Sequence, residues 1–140
     1  MAILSANRPH WLLAKMAAVF ADGMACGIYL TSSAESVSYI LQDSGADILV
    51  VEDATHMATA LKATKDNPGM LKAVVQIEGE IEISLAGVPC MTWSALMDLG
   101  RAQSESGLND RLSRMAINQC CLLVYTSGTT GNPKGMFGNV

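Results

Sequence analysis

The chain has 140 residues, half of them hydrophobic, which suffices for one domain with a substantial core and is too apolar for intrinsic disorder. Nine basic against thirteen acidic side chains leave a formal charge of −4, which excludes a broad electrostatic attraction to nucleic acid or to an anionic membrane surface. There is no basic start followed by a signal-type apolar segment, and Lys15, Asp22, Gly23 and Gly27 interrupt the long apolar run 11–30, so no membrane-spanning helix is expected.

Residues 2–5 read as a short buried strand, and Asn7-Arg8-Pro9 as the turn into a helix over 10–20. Leu12, Leu13, Met16, Ala17 and Phe20 recur at helical spacing, which predicts that they cover one face of a sheet, with Trp11 as core packing. Residues 26–30 read as the next strand. Residues 35–43 follow as a helix whose apolar side is Val37, Ile40 and Leu41, capped by Ser33 or Ser32. The β-branched run 47–51 is a strand followed by acidic Glu52 and Asp53, and the alternation repeats with a helix over 55–64 and a strand over 71–77.

This succession predicts an α/β fold with a mostly parallel sheet flanked by helices, because crossover helices must cover the apolar faces of the strands they connect. The acidic segment 78–82 reads as a solvated turn or edge rather than as paired catalytic carboxylates. Thr92 or Ser94 starts a short helix through Leu99, residues 100–107 form an exposed connection, residues 109–116 a polar helix, and residues 120–125 a further buried strand.

Cys26, Cys90, Cys120 and Cys121 lack metal-ligand spacing, and the adjacent pair should face opposite sides of a strand. They read as buried free thiols, suited to a reducing compartment. His10 and His56 nominate no metal centre, and none is expected.

The chemistry concentrates in Tyr125-Thr126-Ser127-Gly128-Thr129-Thr130-Gly131-Asn132-Pro133-Lys134-Gly135. A phosphate tail needs donors converging on its oxygens. Gly128, Gly131 and Gly135 let backbone amides approach where a Cβ would obstruct them, and Thr126, Ser127, Thr129 and Thr130 add short hydroxyls. Lys134 brings a positive charge without fixed bidentate geometry, and Pro133 stiffens the turn before it. No lysine follows Gly131 directly, so this is not the P-loop NTPase pattern. The plain alternative is a flexible Ser/Thr/Gly connection, but the strand 120–125 before it favours a structured strand-to-loop site, at the carboxyl end of a strand where open α/β sheets bind ligands.

Residues 125–135 resemble the glycine-rich phosphate-binding motif of the acyl-adenylate-forming synthetases, the superfamily of acyl-CoA synthetases, luciferases and peptide-synthetase adenylation domains. The run 2–11, and the helix and Gly27-Ile28-Tyr29 after it, resemble the early nucleotide domain of long-chain acyl-CoA synthetases. Ser32, Ala34 and Glu35, the run 49–53 and the run 71–76 look closest to the bubblegum-type members. The resemblance implies that the complete enzyme uses ATP and Mg2+ to convert a carboxylate into an acyl-adenylate, releasing pyrophosphate, after which the CoA thiol displaces AMP. It assigns phosphate binding to Thr126, Ser127, Gly128, Thr129, Thr130, Gly131, Lys134 and Gly135, with Tyr125 supporting the loop. The nucleophile is the substrate's carboxylate, so no catalytic side chain is assigned in this chain.

The departure follows Gly135, where the family continues with apolar residues and a Ser/Thr-His pair, whereas this chain has Met136-Phe137-Gly138-Asn139-Val140. The expectation is a partial AMP-binding (adenylation) domain over 1–140 that ends just after the phosphate loop. On the same expectation it lacks the C-terminal catalytic domain and is catalytically incomplete in isolation. A nonenzymatic interaction fragment and a residual ATP-binding module are the alternatives. The partners implied for the full-length relative are a long-chain fatty acid and CoA, with no nucleic acid. A membrane-soluble acyl substrate adds peripheral membrane association to a cytoplasmic location, and surfaces exposed by truncation predict self-association.

Overall fold

The computed structural model describes residues 1–126 and 134–139. In chain order these form β1 (Ala2–Leu4), α1 (Pro9–Phe20), β2 (Ala25–Ile28), α2 (Ala34–Ser44), β3 (Ile48–Val51) and α3 (Ala54–Ala63). A single 3-10 turn over Pro68–Met70 leads to β4 (Ala73–Gln76), β5 (Cys90–Thr92), α4 (Trp93–Arg101), α5 (Ser106–Leu112), β6 (Cys120–Thr126) and β7 (Lys134–Asn139). The strands make one sheet in the order β5-β4-β3-β1-β2-β6-β7, parallel throughout except for antiparallel β7 on β6.

The central strands read as apolar runs because both of their faces are covered. Ala2, Ile3 and Leu4 have no exposed surface, and the register sets Ala2 beside Leu49 on one side and Cys26 on the other. Leu4, Leu49, Val51 and Val74 pack toward α2 and α3 against Val37, Ile40, Leu41 and Met57. Ile3, Val50 and Val75 point the other way, toward Ala14 and Ala18 of α1 and toward Trp93 and Leu96 of α4. The result is the expected three-layer arrangement, a mostly parallel sheet between helices.

Local signals set the helix starts. Ser33 accepts the Ser36 amide at 3.3 Å, Asp53 the His56 amide at 3.1 Å and Thr92 the Ala95 amide at 3.3 Å, each satisfying a donor that the first helical turn leaves free. Gly45 ends α2 with φ of 60°, a left-handed conformation that suits glycine.

Four expectations are corrected. Leu12 and Leu13 are 56% and 53% exposed, and Ala17 and Phe20 are also exposed, so the face of α1 on the sheet is instead Ala14, Ala18 and Val19 with half-buried Trp11. Alanine lets the helix axis come close to the strands, and α1 is apolar nearly all round, so periodicity does not single out the buried face. β5 was not foreseen: it is a three-residue edge strand of half-buried residues with no apolar run to announce it. Residues 100 and 101 belong to α4, and α5 starts and ends earlier than the polar helix expected over 109–116. Residues 134–139 are a strand, which places Lys134 and Gly135 in β7 rather than in the loop.

Candidate functional site

The carboxyl ends of β1, β2 and β6 open onto a cleft of about 330 Å3, lined by Ser5, Asn7, Trp11, Tyr29, Val124 and Tyr125 among others. Its floor depends on Gly27, where a Cβ would lie 3.3 Å from the Trp11 ring. β6 leaves the sheet at this end through Thr126, and β7 returns from Lys134. Thr126 pairs with Lys134, and Tyr125 with Gly135.

Three of the expected phosphate-binding residues are therefore placed. Thr126 and Lys134 are exposed and face each other across the base of the hairpin, and Gly135 follows on the return strand. A Cβ at Gly135 would meet Leu123 at 3.2 Å and the Tyr125 ring at 3.3 Å, tight enough that both side chains would have to shift, so glycine suits the close pairing of the two strands. Ser127, Gly128, Thr129, Thr130 and Gly131 lie outside the described residues.

Tyr125 is buried, and its hydroxyl donates to Asp43 Oδ2 of α2 at 2.6 Å. Burial, and then this bond to a carboxylate, push the phenol up from its ordinary value. Sequence reasoning gave Tyr125 a supporting role but did not find Asp43, because no periodic signal links positions so far apart.

A second polar cluster ties together the carboxyl ends of β1, β3 and β4. Arg8 pairs with Glu52, and also with Glu78 at 2.6 Å, while the Ala6 amide donates to Glu52 Oε2 at 3.0 Å. Burial by itself would raise the Glu52 carboxyl, but the Ser5 hydroxyl, the Ala6 amide and the Arg8 guanidinium together hold it below the usual carboxylate range. Glu78, read from sequence as part of a solvated segment, is exposed yet engaged in this latch. Beside it the His10 ring meets Trp93 edge-on at 5.1 Å.

All four cysteines are free; Cys26 and Cys121 are buried, whereas Cys90 on edge strand β5 and Cys120 at the start of β6 are only half-buried. Burial pushes the Cys26 thiol up to about 11, leaving it a poor nucleophile. Among the described residues no group of three or more His, Cys, Asp or Glu side chains is arranged to hold a metal ion. No helix among them is long and apolar enough to cross a membrane.

The family model described as AMP-binding enzyme matches residues 1–138. The chain belongs to the AMP-binding enzyme family. It is 43% identical over 136 residues to the long-chain-fatty-acid-CoA ligase ACSBG1 of Rattus norvegicus, a match covering 97% of this chain and 18% of that protein. Against the long-chain-fatty-acid-CoA ligase ACSBG2 of Xenopus laevis it is 40% identical over 134 residues, covering 96% of this chain and 18% of that protein. The chain thus spans about a fifth of the length of the curated relatives it matches. A fatty acyl CoA synthetase of Mycobacterium tuberculosis shares the fold with a TM-score of 0.67 at 21% identity, over 99% of this chain and 23% of that one. The luciferase-like enzyme of Zophobas morio does so with a TM-score of 0.72 at 16% identity, over 99% and 29%.

Proposed function

We propose that the chain supplies the phosphate-binding part of an ATP-dependent acyl-activating site, of the kind that joins a long-chain fatty acid to CoA through an acyl-adenylate. One observation carries this reading: β6 and β7 meet at Thr126 and Lys134 on the carboxyl edge of a parallel sheet, beside an open cleft, with the Ser/Thr/Gly segment 127–133 between them. Ligands of open α/β sheets gather at that edge. The 40% and 43% identity to ligases named for long-chain fatty acids and CoA supports the substrate class.

ATP, when bound, supplies the adenylyl group that activates the carboxylate, and CoA is the later acyl acceptor. The work of this chain is to bind and orient the triphosphate. Lys134 offers a mobile ammonium to phosphate oxygens, and Thr126, Ser127, Thr129 and Thr130 offer hydroxyl donors. Gly128 and Gly131 allow their backbone amides to approach, so that charge around the departing pyrophosphate is offset in place.

The 140 residues form part of an adenylation domain that binds nucleotide without sustaining turnover, because the cleft they line is open rather than an enclosed reaction site. Four free thiols fit a reducing compartment such as the cytoplasm, and a membrane-soluble substrate suits peripheral contact with a bilayer. A second reading, association between copies, is favoured by edge strand β7, where Met136 and Phe137 are 61% and 73% exposed. Titration of the purified chain with ATP, followed by an assay with a long-chain fatty acid, Mg2+ and CoA, tests the first reading. Saturable ATP binding without acyl-CoA is expected, and absence of ATP binding would refute it.

A further inference from the structure

Tyr125 is 3% exposed, whereas its neighbours Val124 and Thr126 are open, so it is the last buried side chain before the phosphate segment. Its ring occupies the space that Gly135 leaves on the return strand, where any Cβ would come within 3.3 Å of the ring carbons. Its hydroxyl crosses from the sheet to α2 and donates to Asp43 at 2.6 Å. One side chain therefore joins both strands that flank residues 127–133 to a helix that lies 82 positions earlier in the chain.

Asp43 lies where a helix disfavours an acid. It is in the last turn of α2, where unpaired carbonyls make the terminus negative, and that turn has no basic residue. Nothing in α2 itself calls for a carboxylate at this position, but the phenol does, and a local rule broken in favour of a distant partner often marks a functional constraint. The phenol is pushed up by burial first and by the Asp43 bond second, so it remains a donor near neutral pH. Its hydroxyl is taken up by Asp43 of α2, so it acts through the backbone.

We propose that Tyr125 and Asp43 are positioning residues for the nucleotide phosphates. The hydroxyl-carboxylate bond fixes the direction in which β6 leaves the sheet, and the ring beside Gly135 fixes the direction of return, so that Thr126 and Lys134 are held opposite each other. Such placement matters because a bound group must be met to within about 0.5 Å, and supporting contacts supply that accuracy. This assignment rests on the nucleotide reading above and names the residues that shape the same site.

The test uses Tyr125→Phe, Asp43→Ala, Asp43→Asn and the Tyr125→Phe/Asp43→Ala double variant of the 140-residue chain. The readouts are ATP affinity and, without nucleotide, hydrogen exchange of the hairpin amides. Loss of the bond should weaken ATP binding about fivefold to tenfold and speed exchange around residues 124–136. The double variant should be no weaker than either single one, since both remove the same interaction. Asp43→Asn should keep both properties, because its amide oxygen still accepts from the phenol. Asp43 is exposed, so its variants keep the test open should Tyr125→Phe fail to fold. Unchanged affinity and exchange in Asp43→Ala, with ATP still bound by the wild type, would overturn the positioning role. Faster exchange in a chain whose wild type binds no ATP would instead overturn the nucleotide reading on which that role depends.

Discussion

The centre of the sheet and its β6–β7 end are built on opposite terms. Around β1, β3 and β4 the apolar residues are covered on both faces and the flanking helices are capped by Ser33 and Asp53, whereas β7 leaves Met136 and Phe137 in solvent. The residues proposed for phosphate binding that the structure describes, Thr126, Lys134 and Gly135, belong to that second, thinly supported region. Binding residues are often carried on connections that a rigid scaffold positions. The charged latch of Arg8, Glu52 and Glu78 belongs to the scaffold, and Tyr125 is where α2 of the scaffold meets the β6–β7 pair.

Substitutions in the two regions should therefore separate stability from binding. Leu49→Ala, at a position with no exposed surface, should lower the unfolding free energy by about 2–5 kcal/mol in a denaturant titration. A loss below about 0.5 kcal/mol, the size usual for surface changes, would break the contrast. Lys134→Ala should do the reverse, weakening ATP binding by about tenfold, as for loss of one charge-assisted contact. Its melting temperature should stay near the wild-type value; calorimetric titration reads the affinity and a thermal scan the stability.

Ser33→Ala removes the acceptor of the Ser36 amide and should cost about 1 kcal/mol of stability, with ATP affinity unaffected. For Glu52 the sign follows from linkage. Its folded carboxyl titrates below the ordinary 4.5, so the stability it contributes is present above that value and is lost as pH falls through the lower folded one. Melting temperature followed from pH 6 to pH 3 should accordingly fall less steeply in Glu52→Gln than in the wild type. The smallest effect on stability is expected for Phe137→Ser, within about 0.5 kcal/mol, yet it should lower any concentration-dependent mass seen by sedimentation. A chain that sediments as a monomer before and after the change would remove the second reading.

Much of the central region was legible in advance. Ala2-Ile3-Leu4 and Leu49-Val50-Val51 are short apolar runs that only a doubly covered strand accommodates, and Ser33 before a helical pattern is a local capping signal. The face of α1 was not legible, because leucines and alanines surround that helix and the decision went to the small residues that let it approach the sheet. β5 and β7 were missed for a related reason: an edge strand gains its hydrogen bonds from a neighbour and needs no apolar run of its own. For the site, the types of donor in 126–135 could be read directly, while the Arg8–Glu52 and Tyr125–Asp43 pairs span 44 and 82 positions and left no spacing to recognise.

The order of residues alone determined that a parallel α/β sheet would form and that a hydroxyl-rich, glycine-spaced segment with one lysine would follow its last parallel strand, because propensity, apolar pattern and donor chemistry are carried by neighbours in the chain. Tertiary structure alone decided which face of α1 is buried, that Lys134 and Gly135 return as a strand, and that Asp43 pairs with Tyr125 at the end of β6. Those outcomes depend on how closely distant backbones approach and which polar groups are left to pair when they do, and neither quantity exists until the chain is folded.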